Sequence, residues 1–172
     1  MKFSRATVVG IAATATLLSG GIAYAATSST PTASTTDTIV TTTLNEGLSA
    51  TGGVPTTIAT LNLPPGAYVL HASGDLVNFG PSNYTRCQIM VGSTQAAAVA
   101  TLVGNPAKPG ALEPAGDLSG FALVGGAVNT TTSPVQAILR CSHDHTNGAT
   151  PYVDSGASLW AHKTSGLKLA TE

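Results

Sequence analysis

His143-Asp144-His145 is the densest run of chemistry-bearing side chains in the sequence. Two imidazoles two residues apart can converge on one ion, and Asp144 or Asp154 could add oxygen ligands. A zinc centre needs three or four ligands, however, and only these two histidines are local; His71 and His162 fall on other segments. Calcium would require a carboxylate-dense loop, which the sequence lacks. No metal and no cofactor is therefore expected. Ser142, His143 and Asp144 contain the residue types of a hydrolytic triad, but consecutive side chains on an extended chain point apart and cannot relay a proton. No Gly-x-Ser-x-Gly elbow occurs. Asp75, Glu113, Asp117, Asp144 and Asp154 could meet in space as paired carboxylates, although no spacing favours it. Gly125-Gly126 does not make a phosphate loop and reads as a bulge within a strand. The expectation is a protein that is not an enzyme, with a secreted hydrolase as the alternative.

What remains is binding chemistry. The segments 78–85, 104–119 and 143–156 are long and rich in turn formers. They carry the candidate ligand-binding residues Phe79, Asn83, Tyr84, His143, Asp144, His145, Tyr152 and Asp154. Tyr84 and Tyr152 could stack on a sugar ring while Asn83, Asp144 and Asp154 accept hydrogen bonds from its hydroxyls. Trp160 is the only tryptophan. If Leu159 and Ala161 point inward it faces the other way, beside Ser158 and His162, where it could stack on a sugar; the commoner place for a tryptophan is the core.

The elements that must hold these groups read as strands. Apolar residues recur at period two, Thr and Val are frequent, and Gly or Pro interrupts the pattern about every ten residues. Eight strands are predicted, at 38–44, 56–63, 68–77, 86–91, 96–103, 120–128, 135–142 and 157–163. Only 95–100, with three successive alanines, could start a helical turn, and the Thr101-Leu102-Val103 that follows favours a strand. Pro65 and Gly66 suit the central positions of a type II turn leading into the third strand. Successive antiparallel strands reverse direction, so the three long connections should gather at one end of a sandwich and the short ones at the other. Binding usually sits on such a cluster of loops. Val135, Ala137, Leu139 and Cys141 share one face, as do Cys87, Ile89 and Val91. In an oxidising compartment an even pair reads as one disulfide, Cys87–Cys141. It would lie at the core, with Arg86 and Arg140 turned outward. Met90, Ile138 and Trp160, opposite their inward neighbours, are candidates for an outer apolar patch that would serve a homo-oligomer. The prediction is a single antiparallel β-sandwich of jelly-roll type; an Ig-like sandwich is disfavoured because no tryptophan lies between the cysteines.

The segment Leu63-Pro64-Pro65-Gly66-Ala67-Tyr68-Val69-Leu70-His71-Ala72 resembles the opening of a long strand in small secreted actinobacterial β-sandwich proteins of unassigned function. Cys87-Gln88-Ile89, Leu139-Arg140-Cys141 and Leu159-Trp160-Ala161-His162-Lys163 are similar to their paired cysteine strands and closing strand. A more distant similarity is to jelly rolls of the C1q and TNF type. The resemblance spans roughly 59–166 and implies a fold, with no catalytic or binding residue to carry over; a structural, oligomeric C1q-like module is one reading it leaves open.

The N-terminus decides the compartment. Lys2 and Arg5, an apolar run over 8–18 and Ala23-Tyr24-Ala25 have the layout of a cleaved signal peptide over residues 1–25. The apolar run is too short for a bilayer core of ~30 Å. Residues 26–36, nearly all Ala, Ser and Thr, read as a disordered leader, and 37–172 as the folded domain. Without the signal, Arg86, Lys108, Arg140, Lys163 and Lys168 are scattered against eight acidic residues. No nucleic-acid partner is expected from so dispersed a basic set. Neither a lipid-bearing cysteine after the signal nor a hydrophobic tail is present, so no membrane attachment is expected after cleavage. The function these features imply is a secreted, extracellular, non-catalytic binding or surface-interaction module for a carbohydrate or cell-envelope ligand.

Overall fold

The computed structural model describes residues 37–80, 83–103, 117–144 and 150–167. The segments read from the sequence as a signal peptide (1–25) and a leader (26–36), together with His145, Lys108 and Glu113, lie outside the described residues.

Among the described residues ten strands form: β1 (Asp37–Thr41), β2 (Glu46–Gly47), β3 (Thr56–Leu63), β4 (Gly66–Asn78), β5 (Asn83–Val91), β6 (Thr94–Val103), β7 (Asp117–Asn129), β8 (Val135–His143), β9 (Tyr152–Val153) and β10 (Ser158–Thr164). All eight predicted strands are present. The two additional ones, β2 and β9, are two-residue pieces too short to show an alternation. The alanine run 95–100 is strand throughout, as its β-branched flank requires.

All pairing is antiparallel, in two sheets. The four-stranded sheet has the order β3-β8-β5-β6. In the six-stranded sheet β4 is the spine: β7 pairs along one edge for its whole length, while β10 and then β9 share the other edge, with β1 outside β10 and β2 outside β9. The long strands thus run β1-β10-β4-β7 against β3-β8-β5-β6. That two-sheet order, with the chain crossing between sheets, is a jelly roll.

The core lies between the sheets and is built from the expected alternation. Leu70 and Leu76 of β4, Leu159 of β10, Ile89 of β5, Leu139 of β8 and Leu63 of β3 are fully enclosed. Cys87 and Cys141 are directly opposed across β5 and β8 and form a disulfide with no solvent exposure. Arg86 is exposed and Arg140 half-buried on the outer side of the same strands. Arg140 donates from Nε and Nη2 to Gln88 Oε1 at 3.1 and 3.0 Å.

Three local expectations are corrected. Gly125 and Gly126 are not a bulge, since the β4–β7 register runs unbroken through them. Gly125 is instead where the two sheets meet: a Cβ there would stand 2.6 Å from the Ala96 carbonyl oxygen of β6. Met90, Ile138 and Trp160 do not make one outer patch. Met90 pairs with Ile138 beside a register shift in β5–β6 and is only 9% exposed, while Trp160 belongs to the other sheet. Gly66 has φ +146°, wider than the left-handed value of a type II turn, so the chain runs directly into β4.

Candidate functional site

The loop end predicted from the sequence is only partly one site. Phe79, after β4, and Tyr152, in β9, do come together, with ring centroids 6.4 Å apart. Tyr84 belongs to the other sheet, where it pairs with Leu102; both are about half exposed. Its partner from the long loop is Asp144, whose Oδ1 accepts the Tyr84 amide at 2.9 Å and whose own amide bonds the Tyr84 carbonyl. Asn83 is buried and accepts the Thr85 hydroxyl, so it cannot offer its side chain to a ligand in solution. His143 is also buried; its Nε2 lies 2.6 Å from the Ser49 carbonyl. The alternation that buries Ala137, Leu139 and Cys141 carries on to His143 at the end of β8, making it a tie between β8 and the segment before β3 rather than a surface ligand. Asp154 accepts the amide of Ser155 and sits beside Asp75 through a backbone hydrogen bond. Among the described residues no three potential metal-ligating side chains are clustered.

The outer face of the six-stranded sheet is organised differently. Alternation puts Tyr68, Leu70, Ala72 and Leu76 of β4 inside, so Val69, His71, Ser73 and Asp75 point out. In β10, Leu159 and Ala161 are buried and leave Ser158, Trp160 and His162 on the same outer face. The register then aligns Ile39, Trp160, His71 and Val124 in one row across β1, β10, β4 and β7. Trp160 is therefore not a core residue; it is half-buried between two imidazoles. The His71 ring lies 4.9 Å and the His162 ring 5.9 Å from the indole, centroid to centroid. Asp37 fixes His162 through Nδ1 at 2.5 Å. Ile39 and Val124, 62% and 64% exposed, flank the aromatic group.

The next rows toward Asp75 are small. Ser158, Ser73 and Ala122 align, and then Asp75 stands opposite Gly120. The two serine hydroxyls are 3.1 Å apart. Short side chains leave an open depression of about 480 Å³, lined by Ser73, Asp75, Gly120, Ala122 and Gly156 among others. Asp75 extends over Gly120, its Oδ1 3.3 Å from where a Gly120 Cβ would be. A separate hollow of about 190 Å³ lies beside Pro64, Tyr68 and Lys163. Its principal polar groups are engaged: Tyr68 donates its hydroxyl to the Pro64 carbonyl, and Lys163 Nζ bonds that of Pro65. Burial pushes the Tyr68 phenol above its ordinary pKa of 10.0.

Alternation in β10 was the available signal for an outward Trp160. The grouping of Trp160 with His71, Asp75 and Val124 had none, because it depends on non-local register.

No family model matches the chain, and no curated protein matches it. Among solved structures it is similar to a chain of the infectious bursal disease virus Gx strain, with 14% identity, 77% of this chain and 34% of that chain covered, and a TM-score of 0.42. The VP2 subviral particle of the same virus gives 16% identity, 76% and 33% coverage and a TM-score of 0.44. The chain thus spans about a third of the length of those viral chains. So distant a likeness carries no functional argument.

Proposed function

We propose that this protein is a secreted, non-catalytic binding module that engages a carbohydrate or cell-envelope ligand through the outer face of its six-stranded sheet. The observation that carries the reading is the half-exposed Trp160, held between His71 and His162 next to an open depression. An indole on an outer strand face offers a rigid apolar surface to the C–H side of a sugar ring, at little entropic cost. Flanking hydroxyls and a carboxylate supply the directional groups such a ligand needs.

The test is a screen of the full chain, as released by its expressing cell, against cell-envelope glycans, repeated with Trp160→Ala. Loss of binding in the variant with an unchanged melting temperature supports the reading. Full retention removes this face from consideration. The Phe79–Tyr152 ring pair favours a second reading, a loop-end site, and Tyr152→Ala in the same screen separates the two. Turnover of any glycan would move the protein to the hydrolase class. Sedimentation that shows a stable trimer would favour the C1q-like structural module.

A further inference from the structure

We propose that Asp75 is the ligand-selecting group of this face, and that it reads an adjacent pair of hydroxyls on a neutral oligosaccharide, another ring of which rests on Trp160. The inference rests on the binding reading above and adds to it a ligand class and a residue.

Three observations lead to it. The first is placement. His71 and Asp75 project from the same side of β4, about 13 Å apart along the strand at ~3.3 Å per residue, with Ser73 midway. A ligand lying along β4 would meet aromatic, hydroxyl and carboxylate groups in that order, which suits a short oligosaccharide better than a single ring. The second is openness. Gly120 opposite Asp75 and Ala122 opposite Ser73 put no bulk on β7, so the carboxylate borders the depression instead of a neighbouring side chain. Among the described residues no hydrogen bond or ion pair occupies that carboxylate, whereas Asp37, Asp144 and Asp154 each accept one. An ionised carboxylate only accepts, through two oxygens that match two neighbouring O–H donors. The Ser73–Ser158 hydroxyl pair can both donate and accept beside it.

The third is charge. The described basic side chains stand elsewhere: Arg86 and Arg140 on the outer face of the other sheet, and Lys163 bound to the Pro65 carbonyl. Asp37 and Asp75 are described carboxylates on this face, and Asp154 stands beside Asp75 at its β9 edge. A uronate or sulfated glycan would bring like charge to Asp75 with no lysine or arginine to offset it. Neutral sugars bring donors and no charge.

The experiment measures affinity of the full chain for neutral oligosaccharides (maltohexaose, mannohexaose and cellohexaose) and for oligogalacturonate, with Asp75→Asn and Trp160→Ala alongside. Asp75→Asn keeps the shape but removes the charge and replaces one acceptor oxygen with a donor. Loss of charge-assisted hydrogen bonds should weaken neutral-saccharide binding about ten- to hundredfold. The melting temperature should stay unchanged, because the carboxylate holds no other described group. If Trp160→Ala weakens binding while Asp75→Asn does not, this inference is wrong and the binding reading stands. Tighter binding of oligogalacturonate than of the neutral sugars overturns the assigned ligand class. If no saccharide binds, this inference fails and the envelope-glycan screen alone decides the binding reading; binding that survives both substitutions overturns the inference and removes this face as the site.

Discussion

Gly125→Ala should destabilise the protein, although the same exchange usually stabilises a strand. Two effects of opposite sign act at this position. Adding a methyl group restricts the unfolded chain, which favours folding by about 0.4–1 kcal/mol where the native backbone accepts it. Gly125 has no positive φ, so the backbone does accept it. Opposing this, the new Cβ would lie 2.6 Å from the Ala96 carbonyl oxygen, 3.0 Å from its carbon and 3.2 Å from the Ala97 Cβ. A relaxed C···O contact is ~3.3 Å or more, so β6 and β7 would have to separate by about 0.7 Å. The atoms in the way are backbone and cannot rotate aside. Overpacking of this kind costs about 1–3 kcal/mol and should outweigh the entropic gain, leaving a net loss of about 1–2 kcal/mol. That corresponds to a melting temperature lower by roughly 3–8 °C in a domain of this size. Gly47→Ala is the control, since a Cβ there meets nothing within 4 Å. Urea unfolding of the two variants should show opposite shifts in midpoint at an unchanged slope. If Gly125→Ala is as stable as Gly47→Ala, the sheets do not close at this point.

Replacing both cysteines, Cys87→Ala with Cys141→Ala, opens a loop of 54 residues and should cost about 4 kcal/mol by the chain-entropy relation, read in the same urea titration. Tyr68→Phe should cost about 1 kcal/mol for its lost hydrogen bond to Pro64. It should also change the alkaline limb: because burial raises the folded phenol pKa above 10.0, its contribution to stability is intact below pH 10 and is lost as pH rises through the folded value. The stability gap between wild type and Tyr68→Phe, followed from pH 8 upward, should therefore shrink above pH 10. Leu139→Ala, at a fully enclosed site, should cost about 2–5 kcal/mol by calorimetry. Asp37→Ala should cost less than about 1 kcal/mol, because the Asp37–His162 pair is largely exposed at 53% and 35%.

The parts of the fold legible in the sequence are those set by local period. Val135, Ala137, Leu139 and Cys141 alternate cleanly, and a strand buried on one face cannot slip by one residue without exposing all four. That constraint also placed the disulfide in the core. Gly125 could not be read the same way. A glycine pair inside a strand gives the same local pattern whether it bulges or makes room, and the Ala96 carbonyl that decides the matter lies on another strand. Met90 failed for a similar reason: the register shift after Ile89 brings Gln95, not Ala96, opposite it. Trp160 was legible as outward only through Leu159 and Ala161. Its surroundings come from β1, β4 and β7, and Asp37 is 125 residues away from its partner His162.

The same register explains why polar residues in the loops are poorer ligand groups than those on the sheet. The end of a sandwich must satisfy the backbone of long connections that no strand pairs, and buried polar groups left unpaired are costly. Here Asn78 and two of the candidate ligand residues, His143 and Asp144, do that work. Asn78 donates to the Val103 carbonyl and accepts the Gly80 amide, His143 ties to Ser49, and Asp144 caps the start of β5 at Tyr84. Each is occupied by the chain it orders. An outer sheet face has no such debt, because its backbone is already paired along β10, β4 and β7. Its outward side chains remain available for contacts beyond the fold, and Asp75 is the carboxylate there with no described partner. On the opposite sheet, by contrast, Arg140 is held by Gln88. Side-chain availability therefore favours the six-stranded sheet over both the loops and the other sheet.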